Sequence, residues 1–262
     1  MYKDALLILN KLHENGFESY IVGGYARDKY LGLASSDVDI CTSAKTDDIL
    51  NIFDDVKVNE KYGTSILTYN DNKYEITTFR HDHYTFDGSH QYPVSFVSTL
   101  DEDLKRRDFI INTLCIDYSG NYVDKMGAVK DIDNRIIKCV KEPVISFKED
   151  PLRILRAIRF ATVLSFDLSS DVEAAIYKCS SLISYLSFDR IKRELDLIFS
   201  SVNVIKGIDL LKKFNLDKTL YLNLDNVVYK DNYLGIWAQC IDINVYNFSN
   251  KEKMVIKSFL DR

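Results

Sequence analysis

At 262 residues and 46% hydrophobic content, the chain can bury one large core or two smaller ones, and its ten glycines and three prolines exclude a linker-rich or disordered protein. A net charge of −5 argues against broad, unspecific polyanion binding, so any nucleic-acid contact must be local, at Lys105, Arg106 and Arg107 or at Arg153, Arg156 and Arg159. Five scattered cysteines without a C-x-x-C pair give no zinc framework and fit reduced thiols, no apolar run nears the ~18 residues of a membrane span, and the first helix carries no signal-peptide pattern, so a cytoplasmic protein without a membrane partner is expected.

Residues 3–14 place Ala5, Leu6, Leu9 and Leu12 at helical spacing, and Asn15-Gly16 supplies a stop. A short strand, Tyr20-Ile21-Val22, runs into Gly23-Gly24 and a second helix through Leu31. A further strand is expected over residues 38–41. Two more, near 65–69 and 74–79, flank the polar turn Asn70-Asp71-Asn72 and predict a hairpin. The first ~130 residues thus predict a mixed sheet with helices packed on it. From about residue 147 helical periodicity takes over. A helix from Asp150 to Leu164 puts Ile154, Leu155, Ile158 and Ala161 on one face and Arg153, Arg156 and Arg159 on the other, and later helices are expected at 171–180, 189–200 and 203–214. Beyond that, the Asn-, Tyr- and Asp-rich end is irregular or helical.

The most informative stretch is Val22-Gly23-Gly24-Tyr25-Ala26-Arg27-Asp28, followed by Asp37-Val38-Asp39. Carboxylates at i and i+2 of a strand share a face, so Asp37 and Asp39 can bind the same one or two hard divalent cations, as phosphoryl transfer requires. Gly23-Gly24 lets the backbone approach a phosphate, and Arg27 can hold it. Period-2 alternation puts Glu75, a candidate third carboxylate, on one face with Thr77 and Phe79. In Arg107-Asp108-Phe109-Ile110-Ile111-Asn112, Arg107 can grip phosphate while Asp108 and Asn112, one helical turn apart, meet a ribose hydroxyl. In Glu149-Asp150-Pro151-Leu152-Arg153, Asp150 and Arg153 present an acceptor and a fork of donors, enough to match a nucleobase edge, with Arg156 and Arg159 placed for phosphates. Each segment alone has a plainer reading: a solvated turn, an exposed strand glutamate, a basic helix cap, an acidic first turn with ion pairs. His81, His83 and His90 fall in a polar loop and predict no metal site.

In this order the segments resemble the class II tRNA nucleotidyltransferases, the CCA-adding enzymes, and the related bacterial poly(A) polymerases. The signatures are Gly-Gly-x-x-Arg-Asp with Asp37 and Asp39, Glu-Ile-Thr-Thr-Phe-Arg, Arg-Arg-Asp-Phe-x-x-Asn, Glu-Asp-Pro-x-Arg-x-x-Arg-x-x-Arg-Phe, and Asp189-Arg190-Ile191 before Glu194-Leu195. They span roughly residues 5–215. Departures are Ile110 for the family's threonine, Ala128 for a second glycine, and Asp189 for glutamate.

The resemblance implies an α+β fold: a DNA polymerase beta-like nucleotidyltransferase head with a mixed sheet over residues 1–140, an all-helical neck over 141–215 and a short helical remnant of a body domain over 216–262. It implies magnesium on Asp37 and Asp39, with Glu75 in the catalytic set. Gly23, Gly24, Arg27, Arg107, Asp108 and Asn112 would bind the incoming nucleotide, while Asp150 and Arg153, the latter oriented by Glu149, would select CTP or ATP for a tRNA 3′ end, with Arg156 and Arg159 completing the pocket. Poly(A) synthesis and CC-only or A-only addition are the catalytic alternatives. A full-length segment from His81 to Pro93 favours the complete reaction over CC-only addition, and intact Asp37 and Asp39 argue against a catalytically dead RNA-binding module. Nothing in the pattern sets the oligomeric state.

Overall fold

The computed structural model describes residues 1–84, 92–228, 232–240 and 245–260, so His90 and most of the segment between His81 and Pro93 lie outside the described residues. The chain divides into two compact units. The first takes the described residues up to Asn134 together with Lys138–Lys141, and the second takes Arg135–Ile137 and the described residues from Glu142 onward.

The first unit opens with α1 (Tyr2–Glu14), which buries Ala5, Ile8, Leu9 and Leu12 along one stripe. It continues through β1 (Ser19–Val22), α2 (Gly24–Tyr30), β2 (Asp39–Thr42), α3 (Thr46–Ile52) and β3 (Val56–Asn59). Next come β4 (Thr64–Tyr69) and β5 (Asn72–Thr78), the expected hairpin. Its two linking residues, Asn70 and Asp71, have φ of 48° and 61°, as the turn that matches strand twist demands. The short β6 (Arg80–Asp82) and β7 (Val94–Phe96) pair with each other. Then follow α4 (Leu100–Leu104), β8 (Cys115–Ile116), β9 (Tyr122–Val123) and α5 (Ala128–Asp133).

Seven strands form one sheet in the order β3-β4-β5-β2-β1-β8-β9, mixed because β2 and β5 run parallel while the other pairs are antiparallel. The parallel pair sets Asp39 directly across from Glu75. Under it, Val22, Cys41, Phe79, Leu100, Leu104 and Cys115 form a buried apolar cluster. Phe79 packs with Cys41, which stands opposite Thr77 in this register, so it stays on the side of the sheet that carries Glu75 and Thr77, as the alternation predicts. β5 ends at Thr78, and the Phe79 backbone N–H continues the pairing by donating to the Thr42 carbonyl oxygen at 2.7 Å.

The second unit begins with β10 (Ile136–Ile137) and α6 (Pro143–Glu149). Proline at the first helical position and the Glu142 carboxylate, which accepts from Ile145 N at 2.8 Å, start α6. It continues with α7 (Leu152–Val163), β11 (Asp167–Leu168), α8 (Ser170–Cys179), α9 (Phe188–Phe199), α10 (Val204–Lys213), α11 (Leu216–Thr219), α12 (Tyr233–Cys240) and α13 (Asn250–Leu260). α8, α9 and α10 fall within one residue of their predicted starts and ends. Among its described residues the only strands are the two-residue parallel pair of β10 with β11.

The helix predicted from Asp150 starts instead at Leu152. A residue before proline is pushed out of the helical region, and Asp150 is extended at φ −144°, ψ 101°, so α6 and α7 are separate helices with a corner at Asp150-Pro151. No helix among the described residues is long and apolar enough to cross a membrane.

Candidate active site

In the first unit the site grows from the link between β1 and α2. Gly23 has φ +79° and ψ −137°, a conformation that excludes side chains whatever the space. A methyl group built on it would stand 3.8 Å from Asp39 Oδ2 and 4.0 Å from Arg107 Nη1, which puts the Gly-Gly backbone against both residues. Asp37 was expected on the strand with Asp39. It lies instead in the non-regular run before β2, whose first residue is Asp39. Exposure still alternates, with Asp37 and Asp39 accessible around buried Val38.

Asp39 keeps solvent access, yet partial burial, the Glu75 carboxylate across the strands and Asp37 push its pKa up to about 6, against the pull of Arg107. Three carboxylates gather here with more negative charge than the nearby cation balances, and hard oxygen donors of this kind fit a divalent cation. Among the described residues no group of three or more acidic, histidine or cysteine side chains stands at mutual metal-binding spacing.

Behind the carboxylates lies a buried ionic lattice. Asp103, fully buried, accepts from Arg106 Nε at 2.8 Å, Arg107 Nη2 at 2.9 Å and Arg80 N at 3.2 Å. Burial opposes its charge, but Arg107 and Arg106 outweigh that and hold its pKa below the usual value. Burial likewise works against the Arg107 guanidinium, and Asp103 with the thiols of Cys41 and Cys115 keeps its pKa above the ordinary value. Arg107 Nε is buried without a hydrogen-bond partner, on the same guanidinium whose Nη1 faces Gly23.

Residues 106–109 are not helical, and only Ile110–Asn112 form a 3-10 turn. Asp108 and Asn112 nevertheless meet: Asn112 Nδ2 donates to Asp108 Oδ1 at 3.1 Å and Asn112 Oδ1 accepts from Arg27 Nη1 at 2.6 Å. Arg27, only 5% exposed, also donates twice to Asp28 Oδ1. The structure therefore joins Asp28, Arg27, Asn112 and Asp108 into one buried chain behind Gly24.

In the second unit the arginines of α7 do not form the open face that periodicity predicted. Arg153, 4% exposed, turns back to α6, where Nη1 donates to Ser146 Oγ at 2.8 Å and to Glu149 Oε2 at 3.2 Å. Arg159 Nε donates to Glu194 Oε2 of α9 at 2.6 Å and its guanidinium carbon stands 4.1 Å from the Phe160 ring centroid. Arg156 is the most accessible of the three at 33%, with Nη1 4.0 Å from Glu194 Oε1. Asp150 accepts from Leu152 N at 3.1 Å, which starts α7, and from Arg190 Nη2 at 3.1 Å. Burial pushes the Arg190 pKa down to about 10, against Glu194.

Asp103, Arg190 and Glu194 thus support the predicted residues, though none of them was assigned a role from the sequence. A signal existed for each. Asp103 precedes Arg107 by four, the spacing of a helical ion pair, and Arg190 and Glu194 sit inside a quoted signature that carried no role.

A family model described as the poly A polymerase head domain matches residues 19–138, and one described as the probable RNA and SrmB-binding site of polymerase A matches 165–227. The CCA-adding enzyme of Streptococcus gordonii is 40% identical over 211 residues, 80% of this chain and 53% of that protein. That of Bacillus subtilis is 43% identical over 187 residues, 71% of this chain and 47% of its own length. The chain spans about half the length of the curated relatives it matches. Among solved structures, the Bacillus stearothermophilus CCA-adding enzyme in complex with CTP superposes with a TM-score of 0.83 at 29% identity, covering 100% of this chain and 70% of that one. A tRNA nucleotidyltransferase complexed with a primer tRNA and an incoming ATP analog gives 0.68 at 26%, over 88% and 66%. With both matched segments and these relatives sharing its head and its helices, the chain belongs to the family of tRNA nucleotidyltransferases and poly(A) polymerases.

Proposed function

We propose that this protein adds nucleotides to the 3′ end of tRNA, building or repairing CCA from CTP and ATP without a nucleic-acid template. The observation that carries the reading is the pair Asp37 and Asp39 beside the bare Gly23-Gly24 backbone and the Arg107 guanidinium. The domain reading goes with it: a catalytic head over residues 1–140, a base-selecting neck over 141–215 and a body segment over 216–262.

Magnesium held by Asp37 and Asp39 would activate the attacking 3′-hydroxyl and neutralise the departing pyrophosphate. The chain's own groups do the rest. Gly23 and Gly24 let the triphosphate approach the backbone. Arg107, fixed from behind by Asp103, offers its remaining donors to phosphate, and the Arg27, Asn112 and Asp108 chain stiffens the wall that meets phosphate and ribose. In the neck, Glu149 and Ser146 hold Arg153 in one orientation and Arg190 does the same for Asp150, so an acceptor and a donor fork stand ready for a base edge. Arg156 and Arg159 complete the nucleotide pocket. The five cysteines, all free and buried, suit the reducing cytoplasm in which this reaction would run.

The test is direct. Purified protein with magnesium is given tRNA ending before CCA or after CC, with CTP, ATP or both, and the products are sequenced. CCA restored from both nucleotides supports the reading. Untemplated runs of A would redirect it to poly(A) synthesis, and no extension would overturn it.

A further inference from the structure

Asp82 is the last residue of β6 and stands on the β6–β7 ladder, outside the seven-stranded sheet that carries Asp39 and Glu75. Its carboxylate is buried. Oδ1 accepts from Arg80 Nε at 2.9 Å, and Oδ2 from Arg106 Nη1 at 3.2 Å and the Tyr84 hydroxyl at 3.3 Å. Arg106 bridges two carboxylates with one planar fork, since its Nε donates to Asp103 Oδ1 at 2.8 Å while Nη1 reaches Asp82. The other oxygen of Asp103 holds Arg107 Nη2 at 2.9 Å. Ion pairs therefore run from Arg80 through Asp82, Arg106 and Asp103 to Arg107, the guanidinium whose Nη1 faces Gly23.

The order of charges along this chain has a consequence at its end. Burial and the like charge of Arg107 both work against the Arg106 cation, and Asp103 and Asp82 together outweigh them. With the Asp82 charge removed, Arg106 leans more heavily on Asp103, the same carboxylate that fixes Arg107. Drawing Asp103 toward Arg106 turns the Arg107 fork, and at a reaction centre a misplacement of ~1 Å can cost about a hundredfold.

We propose that Asp82 and Arg106 are positioning residues, which touch no substrate and set the Arg107 fork on the incoming triphosphate through Asp103. The inference rests on the nucleotidyltransferase reading above and extends its phosphate grip to β6, a strand outside the catalytic sheet.

A lattice that merely pins α4 to β6 would be just as buried and just as paired. A double-mutant cycle on nucleotide binding separates the two roles. Dissociation constants of CTP and ATP with magnesium are measured by titration calorimetry on the full chain. Asp82→Asn and Arg106→Lys should each weaken both nucleotides about tenfold and equally, because the phosphates are common to the two, and Arg107→Ala should weaken both at least as much. Arg106→Lys keeps the charge and loses the fork, so the cycle can be closed with it if Asp82→Asn does not fold. In Arg107→Ala protein the same substitutions should change binding by less than about twofold, since the residue they act through is gone. The full loss in both backgrounds, or no loss beside intact Arg107, would overturn the positioning role while nucleotide binding stands. Wild-type protein that binds neither nucleotide would overturn the nucleotidyltransferase reading itself.

Discussion

The two units handle charge in opposite ways. In the first, acids collect at an accessible edge, where burial, Glu75 and Asp37 raise the cost of ionising Asp39, while the arginines lie buried behind them in a lattice with Asp103 and Asp82. In the second, acids and arginines are matched across helices: Arg153 with Glu149, Arg190 with Asp150, Arg159 with Glu194. The first arrangement leaves net negative charge, which is the ground for proposing a cation there. The second is already balanced, and its value is rigidity, since a paired guanidinium presents its remaining donors in a fixed direction.

The comparison breaks most sharply at the carboxylates. Asp37→Ala or Asp39→Ala should reduce nucleotide addition to background while circular dichroism stays that of wild type, because both side chains are exposed and no core atom is lost. Near-normal activity in either variant would remove the cation from the account.

In the neck the expected loss is of choice. Arg153→Ala should erode discrimination of CTP and ATP from UTP and GTP by about tenfold or more, with a smaller change in the same direction for Glu149→Gln, measured as ratios of kcat/KM. Equal losses for all four nucleotides would show that these residues hold phosphate or merely structure.

Glu194→Gln separates structure from selection. It leaves Arg159 facing a neutral partner in a largely buried setting and should cost about 2 kcal/mol in denaturant unfolding. The smallest effect is expected at Gly207, where α10 crosses its neighbours. A methyl group there would meet Ile198 Cγ2 at 2.6 Å and Thr162 Oγ1 at 2.8 Å. Overpacking of roughly 1–3 kcal/mol, partly offset by alanine's better helix propensity of about 1 kcal/mol, should leave Gly207→Ala about 1 kcal/mol less stable with nucleotide choice unchanged.

The sequence was most informative where the signal is local. The β4–β5 hairpin, the stripe of α1 and the boundaries of α8, α9 and α10 follow from turn chemistry and periodicity within a dozen residues. The Asp-x-Asp and Gly-Gly segments could be placed because their order along the chain is itself the signature. Other features depend on partners far away. The register of Asp39 with Glu75 spans 36 residues and a crossover. Periodicity put Arg153, Arg156 and Arg159 on an open face because it counts angles around one helix, whereas Ser146, Glu149 and Glu194 reach them from others. The break at Asp150-Pro151 was legible in principle: the residue before a proline resists the helical region, and that rule outweighed the tolerance of proline in a first turn.

The central claim, an unbalanced carboxylate cluster awaiting a cation, is tested most directly by thermal melting of wild type and Asp39→Asn with and without magnesium across pH. The folded-state pKa of Asp39, about 6, lies above its ordinary 3.8. Its contribution to stability is therefore full below pH 3.8 and lost as pH rises through about 6. At pH 7.5 without metal, Asp39→Asn should melt higher than wild type, and near pH 3.5 the difference should vanish. Magnesium should raise the melting temperature of wild type at pH 7.5, as a ligand of the folded state does, and leave Asp39→Asn nearly unmoved. An Asp39→Asn protein that melts lower than wild type at pH 7.5 and keeps the full magnesium shift would contradict the account.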